Sequence, residues 1–169
     1  MELRAKIDAL VSQIARMGDW KSARDAVGSN EPEPFAEEVV RLVTRYPFVK
    51  RATDWLEFLR VYGGGMMTRE RDMLSVGLYG FSDDVSLPIL DGPGEPIECG
   101  CLLFGDVVLP KERIDGYTED TISLGFGLDS TGARPWGVYR VRDRQSHWYC
   151  SSFIEWMERL VQRGGRLIE

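Results

Sequence analysis

Thr53-Asp54-Trp55-Leu56-Glu57-Phe58-Leu59-Arg60-Val61-Tyr62-Gly63-Gly64-Gly65 is the stretch on which the reading of this chain turns. Trp55, Phe58, Leu59 and Tyr62 recur at helical spacing, so they line one apolar stripe of a short amphipathic helix. Thr53 is placed to cap the first free backbone N–H groups, and Asp54 sits at the positive end of the helix dipole. A glycine just past the last turn takes the left-handed conformation that closes a helix.

Outward from this helix the pattern changes on both sides. Downstream, Met73 to Phe81, Thr121 to Phe126 and Trp136 to Val141 are strand-type runs. Asp91-Gly92-Pro93-Gly94 and Asp115-Gly116 supply turns, since glycine reaches positive φ and aspartate bonds its own backbone. A closing helix is marked by the capping box Ser152-x-x-Glu155, by the stripe Phe153, Trp156, Met157, Leu160 and Val161, and by the stop Gly164-Gly165. Upstream, Leu3, Ile7, Leu10, Val11, Ile14 and Met17 predict a helix over 2–17, ended by Gly18. Gly28-Ser29-Asn30-Glu31-Pro32-Glu33-Pro34 breaks any continuous helix, and a second helix is predicted from Phe35 to Tyr46, before Pro47. The expected fold is therefore α+β, a mainly antiparallel sheet with helices packed on one face. Residues 1–34 form an N-terminal helical extension, packed or tethered, on a single domain at 35–169, which ends in a C-terminal amphipathic helix.

With 169 residues and 43% hydrophobic content, the chain can bury one core. No apolar run approaches the roughly 20 residues a membrane span needs, and the N-terminus lacks an apolar leader, so a cytoplasmic protein is expected. Cys99, Cys101 and Cys150 are too few and too odd for a disulfide framework and suit a reducing compartment. The net charge of −6 is unevenly spread. Residues 82–130 hold 11 acidic side chains against Lys111 and Arg113, whereas 131–169 hold 4 acidic and 7 basic ones. An acidic band of this kind repels nucleic-acid phosphates and attracts cationic partners, so direct nucleic-acid binding is not expected.

Residue types that carry chemistry are thinly spread. His147, the only histidine, lies three residues from Cys150, but nucleophile–base pairs are made in space, so this adjacency identifies none. Cys99-x-Cys101 with Cys150 and His147 lacks the paired spacing of structural zinc sites, and the two nearby cysteines are read as sharing one face of a strand. Gly63-Gly64-Gly65 and Gly125-Phe126-Gly127 lack phosphate-loop grammar. Asp83-Asp84 and Glu119-Asp120 are adjacent carboxylates of the kind usually found solvated on loops. No catalytic residue, cofactor or metal is assigned. Of the tryptophans, Trp55 and Trp156 lie on helix stripes and read as core, while Trp136 and Trp148 are candidate anchors for a partner.

The segment from Tyr46-Pro47 through Trp55-Leu56-Glu57-Phe58-Leu59-Arg60-Val61-Tyr62-Gly63-Gly64 resembles the signature helix of the SUKH superfamily, in which proline precedes an aromatic-x-x-Phe-Leu helix ending in Gly-Gly. Leu103-Phe104-Gly105-Asp106 and Ser151-Ser152-Phe153-Ile154-Glu155-Trp156 are similar to two further motifs, and the resemblance covers roughly residues 35–165. It implies an immunity protein, not an enzyme, that neutralises a cognate toxin domain, often a nuclease. The acidic band then reads either as a phosphate mimic for a basic toxin groove or as a solubility device. Its candidate contact residues are Asp83, Asp84, Asp106, Glu112, Asp115, Glu119, Asp120 and Asp129, with Trp136 as an apolar anchor. The alternative is a regulatory scaffold or peptide-binding module without a toxin partner. The oligomeric state is not legible.

Overall fold

A computed structural model of the chain describes residues 2–81, 97–113 and 116–167, with the backbone alone at 112–113 and 116–119. Among these residues lie five α-helices and one eight-stranded antiparallel sheet, the α+β class that the sequence predicts. The helices are α1 (Glu2–Met17), α2 (Ala23–Val27), α3 (Ala36–Arg45), α4 (Thr53–Tyr62) and α5 (Phe153–Gln162). The strands are β1 (Asp19–Ser22), β2 (Gly65–Arg69), β3 (Leu74–Leu78), β4 (Ile97–Glu98), β5 (Cys101–Arg113), β6 (Gly116–Asp129), β7 (Val138–Arg142) and β8 (Gln145–Cys150). They run in the order β1-β2-β3-β5-β6-β7-β8, with β4 paired to one end of β5. No helix among the described residues is long and apolar enough to cross a membrane.

Strand alternation divides the sheet into two unlike faces. Val76, Leu102, Phe104, Val107, Leu124, Phe126, Leu128 and Val138 point into the main core, where the helices lie. Ser75, Asp106, Ser123, Gly125, Tyr139 and Val141 take the other side, with only a small apolar cluster of Cys101, Tyr139 and Val141. The core is an aromatic seam. Phe104 stands edge-on to Phe153 at 5.2 Å and to Trp156 at 5.1 Å, Phe126 meets Trp156 at 5.4 Å, and Phe58 meets Phe153 at 5.3 Å. All five rings are fully buried. Each such pair adds about 0.5–1.5 kcal/mol beyond its buried area.

The N-terminal segment, read as an extension, joins this core. Ile7, Leu10, Val11 and Ile14 of α1 are buried in the same cluster as α4 and α5. Tyr62 donates from its hydroxyl to Asp8 at 2.6 Å, and Arg4 donates to Glu57 at 2.9 Å, tying α1 to α4. Residues 19–27, which sequence periodicity leaves unassigned, form an edge strand and a short helix. Ser22 and Asp25 make a reciprocal capping box at their junction, both bonds being 3.0 Å.

Local expectations hold with two corrections in detail. Helix α4 begins at Thr53, and Ala52 occupies the cap position without a side-chain bond. Asp54 does the capping instead, accepting from its own helix at Trp55 N (2.8 Å) and from Ile154 N of α5 (2.9 Å). One carboxylate thus serves two helix N-termini. At α5, Ser152 Oγ accepts from Glu155 N at 3.1 Å as expected, but the return bond falls one residue early, from Ser151 N to Glu155 Oε2 at 2.8 Å. Gly63 closes α4 with φ of 69°, as the sequence predicts. The glycine run has a second task. A Cβ at Gly80 would overlap the Gly63 carbonyl, which accepts from Phe81 N at 2.9 Å, so the helix end and the end of β3 touch through bare backbone.

A clasp holds the far end of the sheet. Arg69 makes two bonds to Asp72 (2.9 and 2.7 Å) and one to the Gly164 carbonyl (2.8 Å), and Arg166 reaches Asp72 at 3.4 Å. The Arg69 hydrogen bonds outweigh the effect of burial and, helped by Arg69 charge and Arg166, hold the Asp72 carboxyl down to about 2.

Two outcomes follow from these contacts. Asp54→Ala should cost about 1–2 kcal/mol in urea unfolding, because two helix ends lose a charged acceptor together. A loss below about 0.5 kcal/mol would show that water replaces it. The folded Asp72 carboxyl titrates below its unfolded value near ~3.9, so the clasp is at full strength above that pH and fades as pH falls towards about 2. Unfolding measured from pH 5 to pH 2 should lose roughly 1–2 kcal/mol that an Asp72→Asn variant does not lose.

Candidate interaction surface

Strands β5 and β6 run well past their neighbours. The last β3 partner of β5 is Ser75, opposite Val108, and the last β7 partner of β6 is Val141, opposite Gly125. Beyond those points the two strands pair with each other: Leu109 with Ile122, Pro110 with Thr121, Glu112 with Tyr117 and Arg113 with Gly116. Among the described residues the sheet therefore ends in a two-stranded ribbon. Pro110 marks the transition, because a residue with no N–H is tolerated where a strand has a free side. An irregularity between Pro110 and Glu112 leaves Thr118, Glu119 and Asp120 facing a single residue, Lys111.

This ribbon carries three of the eight predicted acidic residues, together with the basic Lys111 and Arg113. Glu112 lies on β5, Glu119 and Asp120 lie in the bulged part of β6, and Asp120 is exposed. Asp83, Asp84 and Asp115 lie outside the described residues, as does the turn Asp91-Gly92-Pro93-Gly94.

The remaining three candidates are held inside the fold. Asp106 is half-buried on the helix-free face, where it accepts from the Tyr79 hydroxyl at 3.2 Å. Burial raises its carboxyl above the ordinary range, against the bonds from Tyr79 and the Gly77 backbone. Asp129 is 2% exposed and anchors the loop that follows it. It accepts from Thr131 N (3.2 Å), Thr131 Oγ1 (2.8 Å), Gly132 N (3.0 Å) and Arg134 Nε (2.8 Å). Burial pushes its carboxyl up, but these bonds prevail and hold it below its usual value. Trp136 is half-buried against the core under the Arg51 guanidinium, 4.6 Å from its ring. Asp129 is thus taken up by the fold, and Trp136 is already stacked.

Arg134 is the residue that sequence reasoning passes over. Besides Asp129, it donates to Ser146 Oγ (2.6 Å), to the carbonyls of Cys99 (3.2 Å) and Gly100 (3.0 Å), and to Cys101 Sγ (2.9 Å), while lying 4.0 Å from the Tyr139 ring centre. It binds the loop after β6 to the β4–β5 turn and to β8. The only hint in the sequence is an arginine five residues after an aspartate, which by itself means little.

The thiols and the histidine are not gathered together. Cys99 is not on a strand face: with Gly100 it forms the two-residue turn between β4 and β5, both at positive φ (53° and 74°). Cys101 is buried on the helix-free side of the sheet, and Cys150 in the main core. Burial, with a smaller contribution from Glu155, pushes the Cys150 thiol up to about 12, so it is a poor nucleophile. His147 is exposed on β8. No protein-family model, curated protein or solved structure matches the chain.

Proposed function

We propose that this chain is an immunity protein of the SUKH type, which neutralises a basic toxin domain by laying the acidic β5–β6 ribbon into that domain's cationic groove. One observation carries the reading: among the described residues β5 and β6 outrun β3 and β7, and this part of the two strands bears Glu112, Glu119 and Asp120 alongside Lys111 and Arg113. A nuclease-type groove is built to receive a narrow, polyanionic strand. A two-stranded ribbon is narrow, carries the carboxylates of Glu112, Glu119 and Asp120 against the two cations Lys111 and Arg113, and is rooted in the core, so little ordering is needed on binding. The uneven charge along the chain supports the same partner, since an acidic projection steers a cationic one from a distance.

The test is association kinetics with a basic nuclease-type toxin domain, sought first among the products of neighbouring genes. At low salt, reversing Glu112, Glu119 and Asp120 together to lysine should slow association by about tenfold or more and flatten its salt dependence. An on-rate that survives the triple reversal contradicts the ribbon as the docking element.

A further inference from the structure

The two edges of the sheet are not protected alike. Strand β1 has four residues, points Asp19 and Lys21 outward and is flanked by α1 and α2, as edges that avoid pairing usually are. Strand β8, Gln145-Ser146-His147-Trp148-Tyr149-Cys150, contains no lysine, aspartate, glutamate or proline, and among the described residues it pairs with β7 alone.

The two sides of the β7–β8 hairpin also differ. Cross-strand partners share a face, so Tyr139 with Trp148 and Val141 with Ser146 lie on one side, and Arg140 with His147 and Arg142 with Gln145 lie on the other. The first side carries Tyr139, Val141 and Trp148, with the Arg134 guanidinium over Tyr139 and bonded to Ser146, and Trp148 is 51% exposed there. Its indole passes close to bare backbone, since a Cβ on Gly137 would come within 2.7 Å of Nε1. The second side is basic. Arg140 and Arg142 lie along it, and Arg144 is exposed at the tip beside Asp143. The single Arg142–Asp143 contact, 3.5 Å and highly exposed, does not offset this charge.

We infer that β8 is a docking edge for an extended acidic segment of a partner protein, which adds to the sheet as a further strand. Its alternate residues would be glutamate or aspartate, set against Arg140 and Arg142, and apolar side chains, set against Trp148. Backbone hydrogen bonds along the edge supply affinity, and the two unlike faces supply the sequence pattern. Charge selects this occupant over a second copy of the chain, because pairing β8 with β8 brings two arginine-rich hairpins together. The inference names a ligand class for the peptide-binding alternative, and it stands independently of the toxin reading, which uses the opposite sign of charge on different strands.

The experiment titrates the full chain into a fluorescein-labelled ten-residue peptide that alternates glutamate with valine, read by anisotropy, with hydrogen exchange followed at Gln145 to Trp148. Three comparisons accompany it: a peptide alternating lysine with valine, the glutamate peptide N-methylated at every second residue, and the protein variants Trp148→Ala and Arg142→Glu. The proposal expects saturable binding of the glutamate peptide and slowed exchange along β8. Each comparison should weaken binding about tenfold or more. It is overturned if the glutamate peptide fails to bind at millimolar concentration, or if N-methylation leaves binding unchanged, which would mean charge attraction without strand pairing. Protection of β8 that grows with protein concentration in the absence of peptide also overturns it, by making a second copy the occupant.

Discussion

The packing of Phe104 against Phe153 and Trp156 is the contact on which the rest of the structure depends. Phe104 sits at a bulge, where the register of β5 against β6 shifts between Leu103 and Gly105. There it turns its ring into the helix layer, while Asp106, two residues on, faces the opposite side. Trp55 approaches the same ring at 6.5 Å, and Asp54 next to it caps α5. The sheet and helices α4 and α5 are thus joined through one aromatic knot and one shared carboxylate. Because this knot gathers α1, α4 and α5 on a single face, the other face carries only the small cluster around Tyr139, and the ribbon and the β8 edge stand outside the helix layer.

Helices were legible in the sequence wherever burial is one-sided. The stripes of α1, α3, α4 and α5 repeat at helical spacing, and their ends fall within a residue or two of the cap and stop signals. What could not be read was pairing at a distance. Strand β2 is only Gly65-Met66-Met67-Thr68-Arg69, with no alternation to announce it, and it is a strand because β1 and β3 lie on either side. The turns of Cys99-Gly100 and Asp143-Arg144 both place ordinary residues at positive φ, which a reading based on Asn-Gly or Asp-Gly does not find. Gly63 was legible as a helix stop, but its closeness to Gly80 was not, since nothing local links residues so far apart.

The candidate site divides along the same line. The acidity of residues 82–130 is a property of composition and was plain from the sequence. Which of those carboxylates the fold takes up depends on register. Asp129 is followed by Thr131, Gly132 and Arg134, so its own loop folds back to satisfy it, whereas Glu112, Glu119 and Asp120 lie where β3 and β7 have ended. The two surfaces, the β5–β6 ribbon and the β7–β8 hairpin edge, are built on different strands of the sheet.

Native-state hydrogen exchange of the free protein tests this division most directly. If the aromatic knot organises the fold and the ribbon stands apart from it, amides of 102–108 and 124–128 should exchange only through global unfolding. Those of 110–113 and 117–121 should exchange at least about a hundredfold faster, by local opening of the ribbon. Ribbon amides as strongly protected as the central strands would mean that this segment is part of the buried sheet, and the account of a projecting β5–β6 arm would be wrong.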